Sequence, residues 1–195
     1  MLTFHFGIPD VCIIEEAHLR DIAVGITATC PAEAQRIEAA GADFVVAQGW
    51  EAGGHRGCFD ADAADTQLAT AKLIPAIRNR TNPPIVAAGG LMNGQDIRRM
   101  ISAGAAACQL GTAFLCCDEA GTPQSHHALL LDKPPRATEF TRGFSGRPAR
   151  EIFNQVMQIM RHKSVRGFPL QNTTTSSIRG RALQANDPEF QGFWA

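Results

Sequence analysis

Five short runs of apolar residues stand out along the first 110 positions, and each is nearly continuous rather than alternating with polar residues. Continuous runs of this length are typical of parallel strands that helices cover on both sides, or that fill the interior of a barrel. The pattern therefore predicts five parallel strands. They are Leu2 to Phe6, Ile22 to Thr27, Phe44 to Gln48, Ile85 to Ala88 and Ala106 to Leu110.

Helical signals alternate with these runs. Between the second and third runs, Pro31 suits a first helical position and Gly41 suits a left-handed stop. Between the fourth and fifth runs, Asn93 can cap a helix and Gly104 can end it. Repeated strand and helix units of this kind predict an α/β fold with a parallel sheet.

The pattern changes beyond Thr141. An apolar stripe at the spacing of one helix face predicts a long amphipathic helix there. Its members are Phe153, Val156, Met157 and Met160. Residues 173–177 then resemble a polar loop or a helix-capping run. Because no linker divides the chain, we expect a single domain over residues 1–195, with a helical extension over residues 142–195.

Composition narrows the class of protein. With 45% apolar and 19% charged residues over 195 positions, the chain resembles a soluble globular protein. A net charge of −1 gives no broad electrostatic footprint for nucleic acid or anionic lipid. We find neither a secretory signal nor an apolar run long enough to cross a membrane. The six cysteines form no Cys-x-x-Cys pair, so reduced thiols in a cytoplasmic protein fit best.

Two consecutive predicted strands each end in a glycine turn. Gly89 and Gly90 follow one strand, and Gly111 and Thr112 follow the next. A phosphate needs close approach by several backbone N–H groups, which favours residues without a Cβ where a strand turns into a helix. In βα barrels, phosphates commonly bind in the loops after two consecutive strands. The two turns together therefore predict a phosphate site, although either one alone could simply permit a tight turn.

His55 is the strongest candidate for proton transfer. It follows a predicted strand, where barrel enzymes place catalysis, and an imidazole titrates near neutral pH. Gly53 and Gly54 leave room for a ligand beside it. A lone loop histidine is usually a surface residue, so this interpretation depends on the neighbouring phosphate turns. Glu51 either orients His55 or is a solvated loop charge, and we favour the second reading.

Two glutamines close predicted strands at the same end. Gln48 ends the third strand and Gln109 ends the fifth. An amide offers both a donor and an acceptor, so each can bond to the edge of a heterocycle, or equally to a neighbouring loop. The chain shows no spacing typical of a metal site, a Ser-His-Asp triad or paired catalytic carboxylates.

Four segments in this order carry a resemblance to a known family. They are Gln48-Gly49-x-Glu51-Ala52-Gly53-Gly54-His55, Ala87-Ala88-Gly89-Gly90-Leu91, Gln109-Leu110-Gly111-Thr112-Ala113-Phe114 and Ser145-Gly146-Arg147-Pro148-Ala149-Arg150. The set resembles nitronate monooxygenase, formerly called 2-nitropropane dioxygenase, and the similarity runs nearly from end to end.

The resemblance implies an FMN-binding TIM (βα)8 barrel in which the imidazole of His55 acts as the base or orients the substrate. Such enzymes oxidise alkyl nitronates with molecular oxygen and give a carbonyl compound and nitrite. By position, the resemblance implies one set of contacts to the FMN phosphate and one set lining the flavin. The first set is Gly89, Gly90, Gly111 and Thr112, and the second is Gln48, Gly53, Gly54 and Gln109.

Members of that family begin with three more βα units than this chain, which resembles about five C-terminal strands of a partial barrel. Five of eight strands leave two open edges. We therefore expect weak FMN binding unless the chain forms a homo-oligomer or another segment completes the barrel.

Two alternatives remain. A related FMN-dependent NAD(P)H reductase, of the enoyl-acyl-carrier or quinone reductase type, shares the Glu-Ala-Gly-Gly-His loop and the phosphate turns. The segment from Ser145 to Arg150 favours the monooxygenase. The second alternative is a non-catalytic truncated remnant of such a barrel.

Overall fold

The computed structural model describes all 195 residues, and they form two compact units. The first unit comprises Met1–Ala52 and Arg56–Leu110, and the second comprises Gly53–His55 and Gly111–Ala195. The chain thus leaves the first unit for three residues and then returns to it. Each unit contains its own sheet.

Eight strands and seven α-helices make up the regular structure. The strands are β1 (Leu2–Phe4), β2 (Val24–Ala28), β3 (Phe44–Gln48), β4 (Gly54–His55), β5 (Ile85–Ala88), β6 (Ala107–Gln109), β7 (Thr138–Thr141) and β8 (Ala149–Ile152). The helices are α1 (Val11–His18), α2 (Pro31–Ala39), α3 (Thr70–Arg78), α4 (Gly94–Ser102), α5 (Gln124–Leu131), α6 (Gln155–Met160) and α7 (Leu170–Gln184).

The sheet of the first unit is parallel, with the strand order β1-β2-β3-β5-β6. Each strand lies within one of the five predicted runs or one residue beyond it, so the α/β prediction and its five parallel strands are confirmed. Helices α1 to α4 alternate with the strands. The sheet is open, since β1 and β6 form its two edges.

The core of the first unit explains why the apolar runs are continuous. All five residues of β2 are buried, and so are four of the five in β3. Helices cover the sheet with side chains that are almost inaccessible to solvent, which removes the need for a polar face. These side chains are Ile14, Ala34, Ile37, Leu73, Ile74 and Ile77.

Helix ends follow the capping residues predicted from the sequence. Helix α2 begins at Pro31, and Gly41 after it has a φ of +82°. Asn93 and Asp96 form a capping box at the start of α4, in which each side chain accepts a hydrogen bond from the other residue's backbone N–H. Gly104 follows α4 with a φ of +106°. Left-handed backbone at these two positions favours glycine.

The sheet of the second unit is antiparallel, with the order β4-β8-β7. Its register places Gly54 opposite Arg150 and His55 opposite Ala149. A small core contains Leu129, Ile152 and Phe193. None of the six cysteines forms a disulfide bond, and none of the helices has both the length and the apolar character that a membrane span requires.

The prediction of one long helix through Phe153 to Met160 is wrong. The chain forms strand β8 up to Ile152, and helix α6 has only six residues. Asn154 starts this helix, because its side chain accepts a hydrogen bond from the Met157 N–H at 3.1 Å. Residues 142–195 are therefore not an all-helical extension.

The polar stretch at residues 173–177 is helical, which corrects the loop prediction. It lies inside α7, a helix of 15 residues. Thr173 and Thr174 turn their hydroxyls back to the carbonyls of Pro169 and Leu170, four residues earlier. Such bonds let threonine satisfy its hydroxyl without leaving the helix.

Glu151 is a buried carboxylic acid in strand β8, with a relative exposure of 2%. Burial raises its pKa to about 8, although the charge of Arg179 and the backbone of Phe193 oppose this shift. The neutral acid is therefore the main form at neutral pH. An unfolded chain would bind this proton only at a much lower pH, so burial of Glu151 makes stability fall as pH rises from about 4.5 to about 8.

The variant Glu151→Gln tests this coupling. Its free energy of unfolding should exceed that of the parent at pH 8 and approach it near pH 5, with the difference growing by up to about 1.4 kcal/mol per pH unit. Urea titrations at three pH values measure the difference. Glu139→Gln, on the facing strand and exposed, is the control and should show no such trend. Parallel pH profiles for the parent and Glu151→Gln would contradict the burial argument.

Candidate functional site

The carboxyl ends of three neighbouring strands align in the first unit. Gln48 of β3 pairs with Ala88 of β5, and Ala88 pairs with Gln109 of β6. The structure thus brings the two predicted glutamines to the same edge of the sheet. Gln48 is buried, and its Oε1 accepts a hydrogen bond from the Gly57 N–H at 2.7 Å. Gln109 is exposed.

Arg56 is the largest buried charged side chain in the protein, with an exposure of 2%. Its guanidinium bonds to both carboxylate oxygens of Asp65, at 2.7 and 3.0 Å. The third nitrogen, Nη1, donates to the carbonyls of Gln48 and Gly49, at 2.7 and 2.9 Å. These bonds fix the end of β3 and the turn that follows it.

Asp65, the ion-pair partner of Arg56, is held in its charged form. Burial of Asp65 disfavours the carboxylate, but the hydrogen bonds and charge of Arg56 and the Gln67 N–H outweigh this and lower its pKa. Sequence reasoning missed Arg56, because arginine is mostly a surface residue and nothing in its spacing indicates burial. The only sequence feature that could have drawn attention to Arg56 is its position directly after His55.

Glu51 is an exposed residue of the turn after β3, as predicted, and its carboxylate also caps a helix. Its Oε2 accepts hydrogen bonds from the N–H and the hydroxyl of Thr70, at 2.9 and 3.1 Å. Thr70 is the first residue of α3, so the carboxylate satisfies a backbone donor at a helix N-terminus. The predicted exposed charge of Glu51 is thus also bonded to Thr70.

Gly89 and Gly90 form a tight turn after β5, with φ angles of +105° and +69°. A Cβ on Gly89 would lie 2.8 Å from the Cβ of Ala52, and one on Gly90 would lie 2.9 Å from the Cβ of Glu51. Packing alone therefore requires glycine at both positions. Their two N–H groups donate to no atom of the chain.

Gly111 and Thr112 lie in the second unit, at the start of a 3-10 turn over Thr112–Phe114. Gly111 has a φ of −119°, which any residue can adopt, and a Cβ there would meet no atom within 4 Å. Neither packing nor backbone conformation explains this glycine. The space in front of it is open.

His55 belongs to a strand, not to a loop as predicted. It lies in β4, which pairs with the Ala149-Arg150 end of the Ser145 to Arg150 segment. Two of the sequence segments that carry the family resemblance are thus neighbours in one sheet. The His55 Nε2 lies 2.7 Å from the Ser145 Oγ. The rings of Trp194 and Phe168 approach the imidazole edge-on, at centroid distances of 6.0 and 6.5 Å.

Ser145 is fixed by its own surroundings. It is 4% exposed, and its hydroxyl bonds to the carbonyl and the N–H of Arg147, at 3.2 and 3.3 Å. Gly146 has a φ of +91°, and a Cβ there would lie 2.5 Å from the Arg166 carbonyl oxygen. A rigid hydroxyl on one ring nitrogen can set the orientation and the tautomer of an imidazole. Sequence reasoning quoted this segment but gave Ser145 no role.

Gly53 and Gly54 lie against the end of the chain. A Cβ on Gly53 would be 2.6 Å from the Ala195 carbonyl oxygen, and one on Gly54 would be 3.5 Å from the Trp194 ring. Because these two glycines have no side chains, Trp194 and Ala195 can pack directly against them. The flavin contact that the resemblance implies for these two glycines stays a prediction.

The predicted site residues thus fall into two groups. The first unit brings Gln48, Gln109 and the Gly89-Gly90 turn to the carboxyl edge of its sheet. The second unit contains His55, Gly53 and Gly54, together with Gly111 and Thr112. The first group offers the N–H groups of Gly89 and Gly90 and the exposed amide of Gln109, and the second offers an oriented imidazole.

A parallel sheet with polar groups and glycine turns at its carboxyl edge is the architecture of α/β enzymes that bind small molecules at strand ends. A family model for nitronate monooxygenase matches residues 1–195. A nitronate monooxygenase from Paraburkholderia phytofirmans is 44% identical over 154 residues, which cover 79% of this chain and 42% of the relative. The chain belongs to the nitronate monooxygenase family.

Solved structures agree with this assignment. A nitroalkane oxidase from Streptomyces ansochromogenes matches with a TM-score of 0.94 and 40% identity, over 99% of this chain and 56% of the other. FabK from Thermotoga maritima matches with a TM-score of 0.78 and 27% identity, over 99% and 59% of the two chains. The chain spans about half the length of the relatives that it matches.

Gly89 and Gly111 should respond differently to alanine. Gly89→Ala should lower the free energy of unfolding by more than about 2 kcal/mol, because it combines a disallowed φ with a backbone clash. Gly111→Ala should change it by less than about 0.5 kcal/mol, since its backbone and surroundings accept a Cβ. Urea unfolding of both variants makes the comparison. Equal losses would show that the turn after β5 is not under the packing constraint described here.

Proposed function

We propose that this chain supplies the cofactor-binding and catalytic part of an FMN-dependent nitronate monooxygenase. The reaction is the oxidation of an alkyl nitronate by molecular oxygen to a carbonyl compound and nitrite. The observation that carries the proposal is the match over the whole chain to a nitroalkane oxidase, at 40% identity and a TM-score of 0.94.

The residues present fit an FMN phosphate. The turn at Gly89 and Gly90 offers two N–H groups that donate to no atom of the chain. Gly111 faces open space for which packing gives no reason. Unused backbone N–H groups and open space beside a glycine are what the binding of an anion close to the backbone requires. We propose that these three glycines and the Thr112 hydroxyl contact the phosphate.

The flavin-lining role is proposed for Gln48, Gly53, Gly54 and Gln109. Gln109 has the strongest support, since it is exposed at the carboxyl edge of the sheet beside Ala88. Gln48 is already bonded to the Gly57 N–H, so its contribution includes fixing the loop that follows. FMN, when bound, supplies the acceptor for electrons from the nitronate and their route to oxygen.

His55 is proposed as the base that takes the proton from the carbon next to the nitro group of a neutral nitroalkane. A base must be oriented as well as ionisable, and the Ser145 hydroxyl at 2.7 Å provides that orientation. Trp194 and Phe168 flank the ring and restrict its rotation. A preformed nitronate has already lost this proton, so His55 would then only orient the substrate.

The variant His55→Asn separates these two roles. Turnover of neutral nitropropane should fall by about 10²-fold or more, because proton abstraction is lost, whereas turnover of propyl nitronate should fall less. Oxygen consumption by FMN-loaded protein measures both rates. A colourless protein that cannot be reconstituted with FMN would contradict the proposal and favour a non-catalytic remnant. Equal losses on both substrates would contradict the role of His55 as a base.

Ser145→Ala tests the orientation of the imidazole. We expect kcat/KM for neutral nitropropane to fall about 10-fold, the equivalent of one lost hydrogen bond of about 1.4 kcal/mol. Turnover of propyl nitronate should be nearly unchanged, and Ser145→Thr should recover part of the loss. Ser177→Ala, an exposed serine of the same unit, is the control. Matching losses on the two substrates would point to a general structural defect instead.

A second candidate is an FMN-dependent NAD(P)H reductase. The match to FabK at a TM-score of 0.78 favours it, although the identity of 27% is below the 40% of the nitroalkane oxidase. Rapid mixing under anaerobic conditions distinguishes the two. Bleaching of the flavin by NAD(P)H without a nitronate would support the reductase, and bleaching by propyl nitronate alone would support the monooxygenase.

A further inference from the structure

The second unit contains a cleft of about 680 Å3 whose wall includes Trp194, which flanks His55, but neither His55 nor any residue proposed to contact FMN. One side is a stripe of α7 with the spacing i, i+3, i+4, i+7, and the other sides come from the segment before α5 and from the C-terminal segment. Most of the lining is apolar. The apolar side chains used below are Leu115, Leu183, Phe193 and Trp194.

Arg179 supplies a fixed positive charge to this cleft. It lies in the stripe of α7 that lines the cleft, and one guanidinium nitrogen donates to the carbonyl and the side-chain oxygen of Asn172, at 2.9 and 2.8 Å. Its Nε is inaccessible to solvent and bonds to no atom of the chain. Asn172 therefore orients the guanidinium without neutralising it.

The neighbouring titratable groups do not cancel this charge at neutral pH. Glu151, on which the charge of Arg179 acts, has a pKa of about 8 because of its burial. Burial also lowers the pKa of His126, whose Nε2 donates to the Trp194 carbonyl at 2.8 Å. Glu139, opposite Glu151 in the sheet, is exposed and paired with Arg161. The lining itself contains no Asp or Glu, so the cleft combines mainly apolar walls with the charge of Arg179.

We propose that this cleft binds an organic monocarboxylate with an apolar tail, with its carboxylate on Arg179 and its tail against Leu115, Leu183 and Trp194. A guanidinium suits a carboxylate by charge and by the geometry of its donors. The volume is that of a small-molecule site, larger than a carboxylate alone needs. An apolar tail accounts for the remaining space and walls.

Octanoate is the probe, and Trp194 is the reporter. The chain has two tryptophans, so Trp50→Phe leaves Trp194 as the single fluorophore in an otherwise full-length protein. We expect saturable quenching by octanoate and at least about 10-fold weaker binding of the neutral isostere octanamide, since one charged contact is worth about 1.5–3 kcal/mol.

Affinity for octanoate should fall as pH rises through about 8, because Glu151 then ionises beside Arg179. Glu151→Gln should remove this pH dependence.

Variants of α7 complete the test. Arg179→Gln should weaken octanoate binding about 10-fold or more, and Arg179→Lys should retain part of the affinity because it keeps the charge. Arg181→Gln, an exposed arginine two residues away, is the matched control and should bind like the parent. Far-UV circular dichroism shows whether each variant is folded. Equal affinities for octanoate and octanamide, or for the Arg179→Gln and Arg181→Gln proteins, would overturn the proposal, and so would an absence of saturation.

Discussion

The first unit depends on one buried charge, the guanidinium of Arg56. A charge that is 2% exposed must be fully paired, and Asp65 together with the carbonyls of Gln48 and Gly49 provides that pairing. Removing either partner of such a pair typically costs about 3–5 kcal/mol, because the other charge is left buried. The carboxyl edge of the sheet is thus positioned by a residue that lies directly after His55 in the sequence.

In the second unit, strand pairing rather than a buried charge positions His55. Strand β4 has only two residues, so it exists because β8 provides a partner for it. This pairing places His55 opposite Ala149, and the loop before β8 brings Ser145 to the imidazole. The left-handed backbone of Gly146 allows this loop to pass close to Arg166. The orientation of His55 thus results from a contact between residues 90 positions apart.

Glycines illustrate how the same residue type can serve different purposes. The turn at Gly89 and Gly90 is constrained by packing against Ala52 and Glu51, yet it also leaves two backbone donors unused. Gly111 has no such constraint, because a Cβ there would meet no atom within 4 Å. Sequence reasoning treated both turns alike, because a glycine in a sequence does not show what its missing side chain would touch.

The sequence predicted the α/β class, the five parallel strands and the ends of α2 and α4, because apolar runs and caps such as Asn93 act locally. It also identified the family, through four motif segments that follow one another in order between Gln48 and Arg150. Three features could not be predicted in this way: the strand and short helix near Phe153, the cap that Glu51 provides for α3, and the burial of Arg56. These outcomes depend on partners distant in the chain, and neither hydrophobic spacing nor local propensity contains that information.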